Sequence, residues 1–305
     1  MRSRGRSRGK ERREVPEPET EEIRRIALVA VFSDDEIMNR VVLKGGNALT
    51  LVYNIGGRTS VDLDFSIEGD FEDVSGLQGR LFAALTARFE AAGYHAFDMT
   101  LEPRPRNPSA DRLEGRWGGY QATFKVIRIR DAVRLGWRLQ DLQRQAVALS
   151  PNQVRTFRID FSKYEFVGEK LERDIDEFRI YVYSPAMLVV EKLRALCQQS
   201  PAYELNTTPS PRGRDCYDIY QIMQALGVNL RDPETIDLLR YSFDAKAVPL
   251  VLLRDIQTQR EFHRADWQSV RAAVAGEPEE FDFYFDFVLD RVLELEALGV
   301  VDAPR

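Results

Sequence analysis

Residues 44–65 read Lys44-Gly45-Gly46-Asn47-Ala48-Leu49-Thr50-Leu51-Val52-Tyr53-Asn54-Ile55-Gly56-Gly57-Arg58-Thr59-Ser60-Val61-Asp62-Leu63-Asp64-Phe65. A paired glycine ends an apolar run, and two carboxylates one residue apart follow it. Residues 61–67 alternate apolar and polar with period two, so the pattern predicts a strand with Val61, Leu63, Phe65 and Ile67 in a core and Asp62 and Asp64 on the opposite face. Two carboxylates on one sheet face repel each other unless a cation lies between them. A pair of Mg²⁺ ions about 3.5–4 Å apart, with Mn²⁺ as an alternative, would satisfy both and orient a nucleoside triphosphate for in-line displacement.

Upstream, Val41-Val42-Leu43 reads as the end of a buried strand and residues 47–53 as a helix, which places Gly45 and Gly46 at a strand-to-helix turn. Backbone N–H groups at such a turn can approach phosphate oxygens closely because no Cβ intervenes. Alone, a Gly-Gly before a helix is a tight turn and an Asp-x-Asp on a strand is a solvated face. In this order the two elements predict a nucleotide-phosphate and metal site.

The pattern around this stretch predicts helices at 21–32 and 76–92, strands at 94–101, 120–129 and 153–161, a loop over 103–119 and a helical insert over 135–148. The mixture implies an α+β (mixed α/β) sheet with helices packed on it. Phe157-Arg158-Ile159-Asp160-Phe161 repeats the in-out alternation of the first strand. Asp160 is therefore the favoured third carboxylate, to complete a metal cage or to take a proton from an attacking hydroxyl. Asp98, in Phe97-Asp98-Met99, is its competitor.

From Ser184 the pattern becomes helical, with Ser184-Pro185 a capping residue followed by proline at the first helical position. This divides the chain into a basic arm at 1–20, a core at 21–183 and a helical part at 184–305 that completes the nucleotide site. Lys192 lies in an apolar stretch, where it either snorkels to solvent or reaches a cleft as a partner for triphosphate oxygens. Arg212-Gly213-Arg214-Asp215-Cys216-Tyr217-Asp218 places Arg214 and Asp218 on one helix face, which by itself is an exposed ion pair. The aromatic run at 281–287 reads as core packing.

The 305 residues are 44% hydrophobic and can bury a sizeable core, as one large domain or two intimately packed ones. No apolar run is long enough for a membrane span, and the basic start has no apolar segment of a secretory signal, so a cytoplasmic protein is expected. Cys197 and Cys216 make neither a disulfide framework nor a zinc site, and His95 and His263 are too few and too far apart for a histidine-based site. The net charge of −6 argues against a wholly basic nucleic-acid-coating protein. Arg2, Arg4, Arg6, Arg8, Lys10, Arg12 and Arg13 nevertheless form an arm able to gather phosphates, and Arg104, Arg106, Arg128 and Arg130 are candidates for a positive approach to the site.

As a set, Lys44-Gly-Gly-Asn-Ala-Leu, Tyr53, Arg58-x-Ser60-x-Asp62-Leu-Asp64-Phe65, Glu191-Lys192-Leu193 and Arg214-Asp215-x-x-Asp218 resemble the AbiEii/AbiGii toxin family of nucleotidyltransferases, within the DNA polymerase β-like superfamily. The resemblance covers roughly residues 20–225. It implies a polymerase β-like core sheet followed by a helical C-terminal part, and bacterial abortive-infection or toxin–antitoxin biology in which some relatives add nucleotides to the 3′ end of tRNA. It implies metal ligands at Asp62 and Asp64, a phosphate turn at Gly45 and Gly46, a nucleotide-phosphate contact at Lys192 and the carboxylate of the final motif at Asp215. Asn47, Arg58, Ser60, Arg214 and Asp218 complete the implied nucleotide-binding set; the family often has Thr or Ser where Asn47 stands. The implied partners are an NTP, an RNA acceptor such as tRNA, and an antitoxin encoded beside the chain. Two alternatives stand beside this reading, transfer to a protein or small-molecule hydroxyl and a non-catalytic NTP-binding regulatory module.

Overall fold

Two neighbouring rows of residues across one sheet organise the molecule. Leu43, Phe65, Phe161 and Tyr120 are in register on adjacent strands, and one residue away Lys44, Asp64, Asp160 and Gln121 are in register on the other face. Successive side chains of a strand point to opposite faces, so the single-residue offset separates an apolar row from a polar one.

The computed structural model describes residues 17–55, 60, 62–106, 117–149, 154–206, 208–274 and 276–302. Residues 1–16 of the basic arm, Arg58 and Val61 lie outside these residues, and residues 17–20 belong to the first helix. In chain order the elements are α1 (Glu17–Phe32), α2 (Asp35–Met38), β1 (Val42–Lys44), α3 (Gly45–Asn47) running into a π-helical turn (Ala48–Val52), β2 (Leu63–Ser66), α4 (Val74–Ala91), β3 (Tyr94–Arg104), β4 (Gly119–Arg128), α5 (Ile129–Arg134), α6 (Leu139–Gln145), β5 (Phe157–Ser162), β6 (Lys170–Ile175) and β7 (Phe178–Tyr183). Beyond β7 the described elements are all helical: α7 (Pro185–Cys197), α8 (Gly213–Leu226), α9 (Pro233–Ala245), a 3₁₀ segment (Leu250–Gln259), α10 (Arg260–Arg264), α11 (Trp267–Ala273) and α12 (Phe281–Ala297). The seven strands form one mixed sheet in the order β3-β4-β5-β2-β1-β7-β6, as the α+β pattern implies. Its centre pairs β2 antiparallel to β1 and parallel to β5.

The apolar face is covered by α1 and α4. Phe65 stacks on Phe161 at 5.5 Å and meets Phe32 of α1 edge-on at 5.8 Å, while Phe89 of α4 packs against Phe124 of β4. Leu77, Leu81, Leu85 and Phe89 recur every four residues and form the buried stripe of α4, whose start is capped by Asp73 accepting from the Gly76 N–H. On the other side of the chain's mid-point, α7 begins where Ser184 Oγ accepts from the Met187 N–H. It is buried almost all round, as befits a helix enclosed between the sheet and the C-terminal helices. One continuous apolar core runs from Ile23 to Val301, so the strand-bearing and helical parts are packed as a unit. In the aromatic run, Phe281, Tyr284 and Phe285 are buried, whereas Phe283 is exposed and caps the edge of Tyr220.

Besides the start of α1 at Glu17 and of β2 at Leu63, the structure departs from the sequence reading in four places. β3 continues through Pro103 and Arg104 into what reads as loop, because its pairing with β4 extends to Arg104 opposite Gly119. The helical insert is two short helices, α5 and α6, separated by a turn at Gly136 and Trp137, both with positive φ. β5 begins at Phe157, later than residue 153. The hairpin of β6 and β7 is not anticipated at all. Its turn residues, Asp176 and Glu177, have φ of 48° and 67°, the left-handed geometry of a two-residue hairpin loop that usually carries Asn and Gly.

That turn yields a stability prediction. Glu177 in the left-handed region costs about 1–2 kcal/mol, and glycine regains this less the greater freedom it gives the unfolded chain. Glu177→Gly is expected to stabilise the protein by about 0.5–1 kcal/mol, read as a higher urea midpoint with an unchanged slope. An unchanged or lower midpoint contradicts the assignment of strain to this turn.

Candidate functional site

The polar row lies on the sheet face opposite α1 and α4. Asp64 stands between Lys44 of β1 and Asp160 of β5, and Asp160 stands between Asp64 and Gln121 of β4. Gln121 Nε2 donates to Asp160 Oδ1 at 2.9 Å, and Arg104 Nη2 donates to Gln121 Oε1 at 2.5 Å, so the row is braced from the β3 edge inward. Asp62 precedes β2 on the same side, with Arg158 3.9 Å from its carboxylate. Asp98 is elsewhere, at a bulge of β3 where Lys125 and Gln143 donate to its carboxylate. The register thus brings Asp160, rather than Asp98, beside Asp64.

The turn after β1 is shaped around this carboxylate. Gly45 has φ of +70°, and a Cβ there would lie 2.4 Å from Asp64 Oδ2. Only glycine permits both the conformation and the approach. Asn47 is fully buried, and its amide donates to the Asp62 carbonyl at 2.7 Å while its oxygen accepts from Arg24. It therefore ties the Asp62 backbone to the turn instead of facing the cavity. Arg24 also donates to the Ser60 carbonyl at 2.8 Å, holding the same approach to β2.

Beside the row is a cavity of about 380 Å³ between the sheet, α7 and the start of α8. Its acidic lining is Asp64, Glu165, Glu191 and Asp215; its basic lining is Lys44, Lys192, Arg194, Arg212, Arg214 and Lys246. Six basic side chains against four acidic ones leave a positive surplus in a chain whose net charge is −6. Much of it surrounds the buried Glu165, which accepts from Arg194 at 2.8 Å and lies 3.4 Å from both Lys44 and Lys246. Burial alone would raise the Glu165 pKa, but Arg194, Lys44 and Lys246 outweigh it and lower it to about 2. Lys246 moves the other way, burial lowering its ammonium to about 8. The Nε atoms of Arg194 and Arg212 are buried with no hydrogen-bond partner among the described residues.

Asp64 has the opposite imbalance. Burial raises its pKa to about 7; Lys44 opposes the rise, while Asp160, Glu191 and Asp62 add to it. Asp62 is also raised by burial, with Arg158 opposing. Carboxylates so crowded, against a glycine that leaves an oxygen of Asp64 open, are the hard oxygen donors that Mg²⁺ selects. They share a face and a row without closing a three-donor cage among the described residues.

Lys192 neither snorkels nor stands as a lone cation. Its ammonium is buried and donates to Asp215 at 2.9 Å and Asp218 at 2.8 Å. Asp218 is fully buried and supports Lys192 from behind, so the exposed ion pair with Arg214 does not form. Arg214 is exposed, lines the cavity and makes no hydrogen bond or salt bridge among the described residues. Asp215 also accepts from Arg212 at 3.2 Å, and although burial opposes it, Lys192 and Arg212 hold its pKa well below the usual range. The start of α8 is fixed by the backbone N–H groups of Arg212 and Gly213, which donate to His263 Nδ1 and Asp266 Oδ1. His263 is buried, and desolvation lowers its pKa to about 4, so it is a neutral acceptor here.

The chain matches the family described as "Nucleotidyl transferase AbiEii toxin, Type IV TA system" over residues 26–289. The chain belongs to the AbiEii nucleotidyltransferase toxin family. Among solved structures, a proposed nucleotidyltransferase from H. pylori shares 15% identity with it over 92% of this chain and 96% of that one, with a TM-score of 0.48. JHP933 from Helicobacter pylori also shares 15% identity, over 95% of this chain and 100% of that one, with a TM-score of 0.46. No curated protein matches the chain.

In this AbiEii-family chain the sequence motifs converge on one cavity, and several lining residues join them from outside the candidate set. Lys44 is legible only as the residue before the glycines. Glu165, Arg194 and Lys246 carry no motif, and the burial of three charged side chains around one carboxylate is not readable from spacing. Among the described residues no helix is long and apolar enough to cross a membrane.

The buried charges make two outcomes measurable. Lys192→Ala removes the cation that buried Asp215 and Asp218 share, although Arg212 remains on Asp215, and is expected to destabilise the fold by about 3–5 kcal/mol. Urea unfolding with a loss of less than about 1 kcal/mol, the range of a surface pair, would contradict a buried ion pair at Lys192. Asp64 gives a pH dependence. Its folded pKa is raised, so ionising it costs stability; the cost is absent below the ordinary value of about 4 and complete above about 7. In metal-free buffer, Asp64→Asn is expected to melt close to wild type near pH 4 and a few degrees higher at pH 8, at about 2–4 °C per kcal/mol. Equal melting temperatures at both pH values would contradict the burial of Asp64 among carboxylates.

Proposed function

We propose that this member of the AbiEii family transfers a nucleotide from an NTP to an RNA hydroxyl in a divalent-cation-dependent reaction, with the 3′ end of tRNA as the acceptor, as the toxin of a pair with an antitoxin. The observation that supports it most is the juxtaposition of a crowded carboxylate row with a cavity of surplus positive charge. Asp62, Asp64 and Asp160 would hold Mg²⁺, which supplies charge neutralisation and orientation at the reacting phosphate. Lys44, Arg194, Lys246 and Arg214 line the space in which the triphosphate would lie, and stabilise the charge that grows on departing pyrophosphate. The acceptor hydroxyl oxygen bonds to the α-phosphorus, the bond to the β-phosphate oxygen breaks, and the hydroxyl proton passes to a carboxylate of the row. Asp160 is suited to that proton because Gln121 holds one of its oxygens, fixing the direction of the other.

An RNA must approach this site past its carboxylates. Arg104 and Arg106 lie at the site end of the sheet, Arg104 next to Gln121 and Arg106 paired with Glu102 at 2.6 Å. Arg128 is at the other end of β4, about 24 Å from Gln121 at 3.4 Å per residue, and is paired with Glu19; Arg130 lies two residues beyond it. The positive approach is therefore assigned to Arg104, Arg106 and Arg214, and not to Arg128 and Arg130.

Incubating the protein with each labelled NTP, Mg²⁺ and total RNA is expected to label RNA, and Asp64→Ala is expected to abolish the label while remaining folded. RNA affinity should fall at least tenfold between about 50 and about 200 mM salt, as a few phosphate contacts require. Label found only on protein would move the acceptor to a protein hydroxyl, and a flat salt response would remove RNA from the reading.

A further inference from the structure

Every cavity-lining side chain but one is charged, polar or small; the exception is Trp117. It is the only aromatic side chain lining the cavity among the described residues, and it is 41% exposed, an unusual state for a large indole beside a buried charge cluster. A cavity built for an NTP, the reading on which this inference rests, already has cations for the phosphates. What it otherwise lacks is an apolar face for the base.

We propose that Trp117 is the stacking platform for the base of the incoming nucleotide. The two glycines after it in the chain, Gly118 and Gly119, fix the residue in place. Gly118 has φ of +126°, and a Cβ on Gly119 would lie 2.0 Å from the Phe161 carbonyl oxygen, so the chain behind Trp117 is pressed against β5 in a form that other residues do not adopt. Trp117 lies close enough to buried Tyr203 to act on its hydroxyl. That hydroxyl donates to the Lys246 carbonyl at 2.9 Å. Trp117 thus stands beside Tyr203 and lines the cavity that Lys246, Lys44 and Arg194 share. Trp117 lines the same cavity as the cations assigned to the triphosphate, which favours the NTP over a base of the acceptor. Stacking of this kind accepts any base, because every base has a π face.

The test compares binding of the four NTPs and of inorganic triphosphate to wild type, Trp117→Ala and Trp117→Phe by isothermal titration in Mg²⁺ buffer. Trp117→Ala is expected to weaken the tightest NTP by roughly ten- to hundredfold, the range of base–aromatic stacking. Inorganic triphosphate, which has no base, should bind all three proteins within twofold by the same reasoning, and Trp117→Phe should retain most of the NTP affinity. Trp117→Phe keeps an aromatic ring at this 41% exposed position, so its melting temperature should stay close to wild type. Equal NTP affinity in wild type and Trp117→Ala overturns the inference, even where RNA binding falls, and so does an equal loss for inorganic triphosphate. A wild-type protein that binds neither ligand overturns the proposed function itself, and this inference with it.

Discussion

The register between β2 and β5 is the constraint on which the site depends. Asp64 opposite Asp160 and Phe65 opposite Phe161 are consequences of one alignment, and a slip by one residue would exchange the faces of the two pairs. The stacked rings and the α1 and α4 helices over them hold the alignment by burying apolar surface. Carboxylates that repel each other are kept side by side by packing on the reverse of the same strands.

Charge is then sorted into two zones. The row concentrates negative charge, and burial, with Asp160, Glu191 and Asp62 adding to it, raises the pKa of Asp64. The cavity a few residues away concentrates positive charge, six basic side chains against four acidic ones. Lys44 joins the two, as neighbour of Asp64 in the sheet and of Glu165 in the cluster. A metal–nucleotide complex has the complementary pattern, cationic at the metal and anionic along the phosphates. Its binding would relieve both zones at once, whereas a bare cation or a bare anion would relieve only one.

The chain's central strands, its long helices and the location of Asp62, Asp64 and Asp160 were legible because alternation with period two and apolar spacing of three and four residues are local properties. Gly45 and Gly46 were legible as a turn, but not the reason for Gly45, which is the approach of Asp64 from a strand many residues away. Asn47 and Asp218 read as nucleotide contacts because they sit within motifs; packing turns both inward, one to the Asp62 backbone and the other to Lys192. The β6–β7 hairpin escaped because Asp176 and Glu177 adopt turn geometry without the residues that announce it. Glu165, Lys246 and Trp117 come from three separate parts of the chain, and only the fold brings them to one cavity.

The central claim is that the carboxylate row is where a divalent cation binds. Titration of the protein with Mn²⁺ in the presence of NTP, following the free ion by electron paramagnetic resonance, tests it without requiring an acceptor. Wild type is expected to withdraw Mn²⁺ beyond what the NTP alone binds, and Asp64→Asn to lose most of that excess. If Asp64→Asn withdraws as much Mn²⁺ as wild type, the row is not the metal site and the account fails.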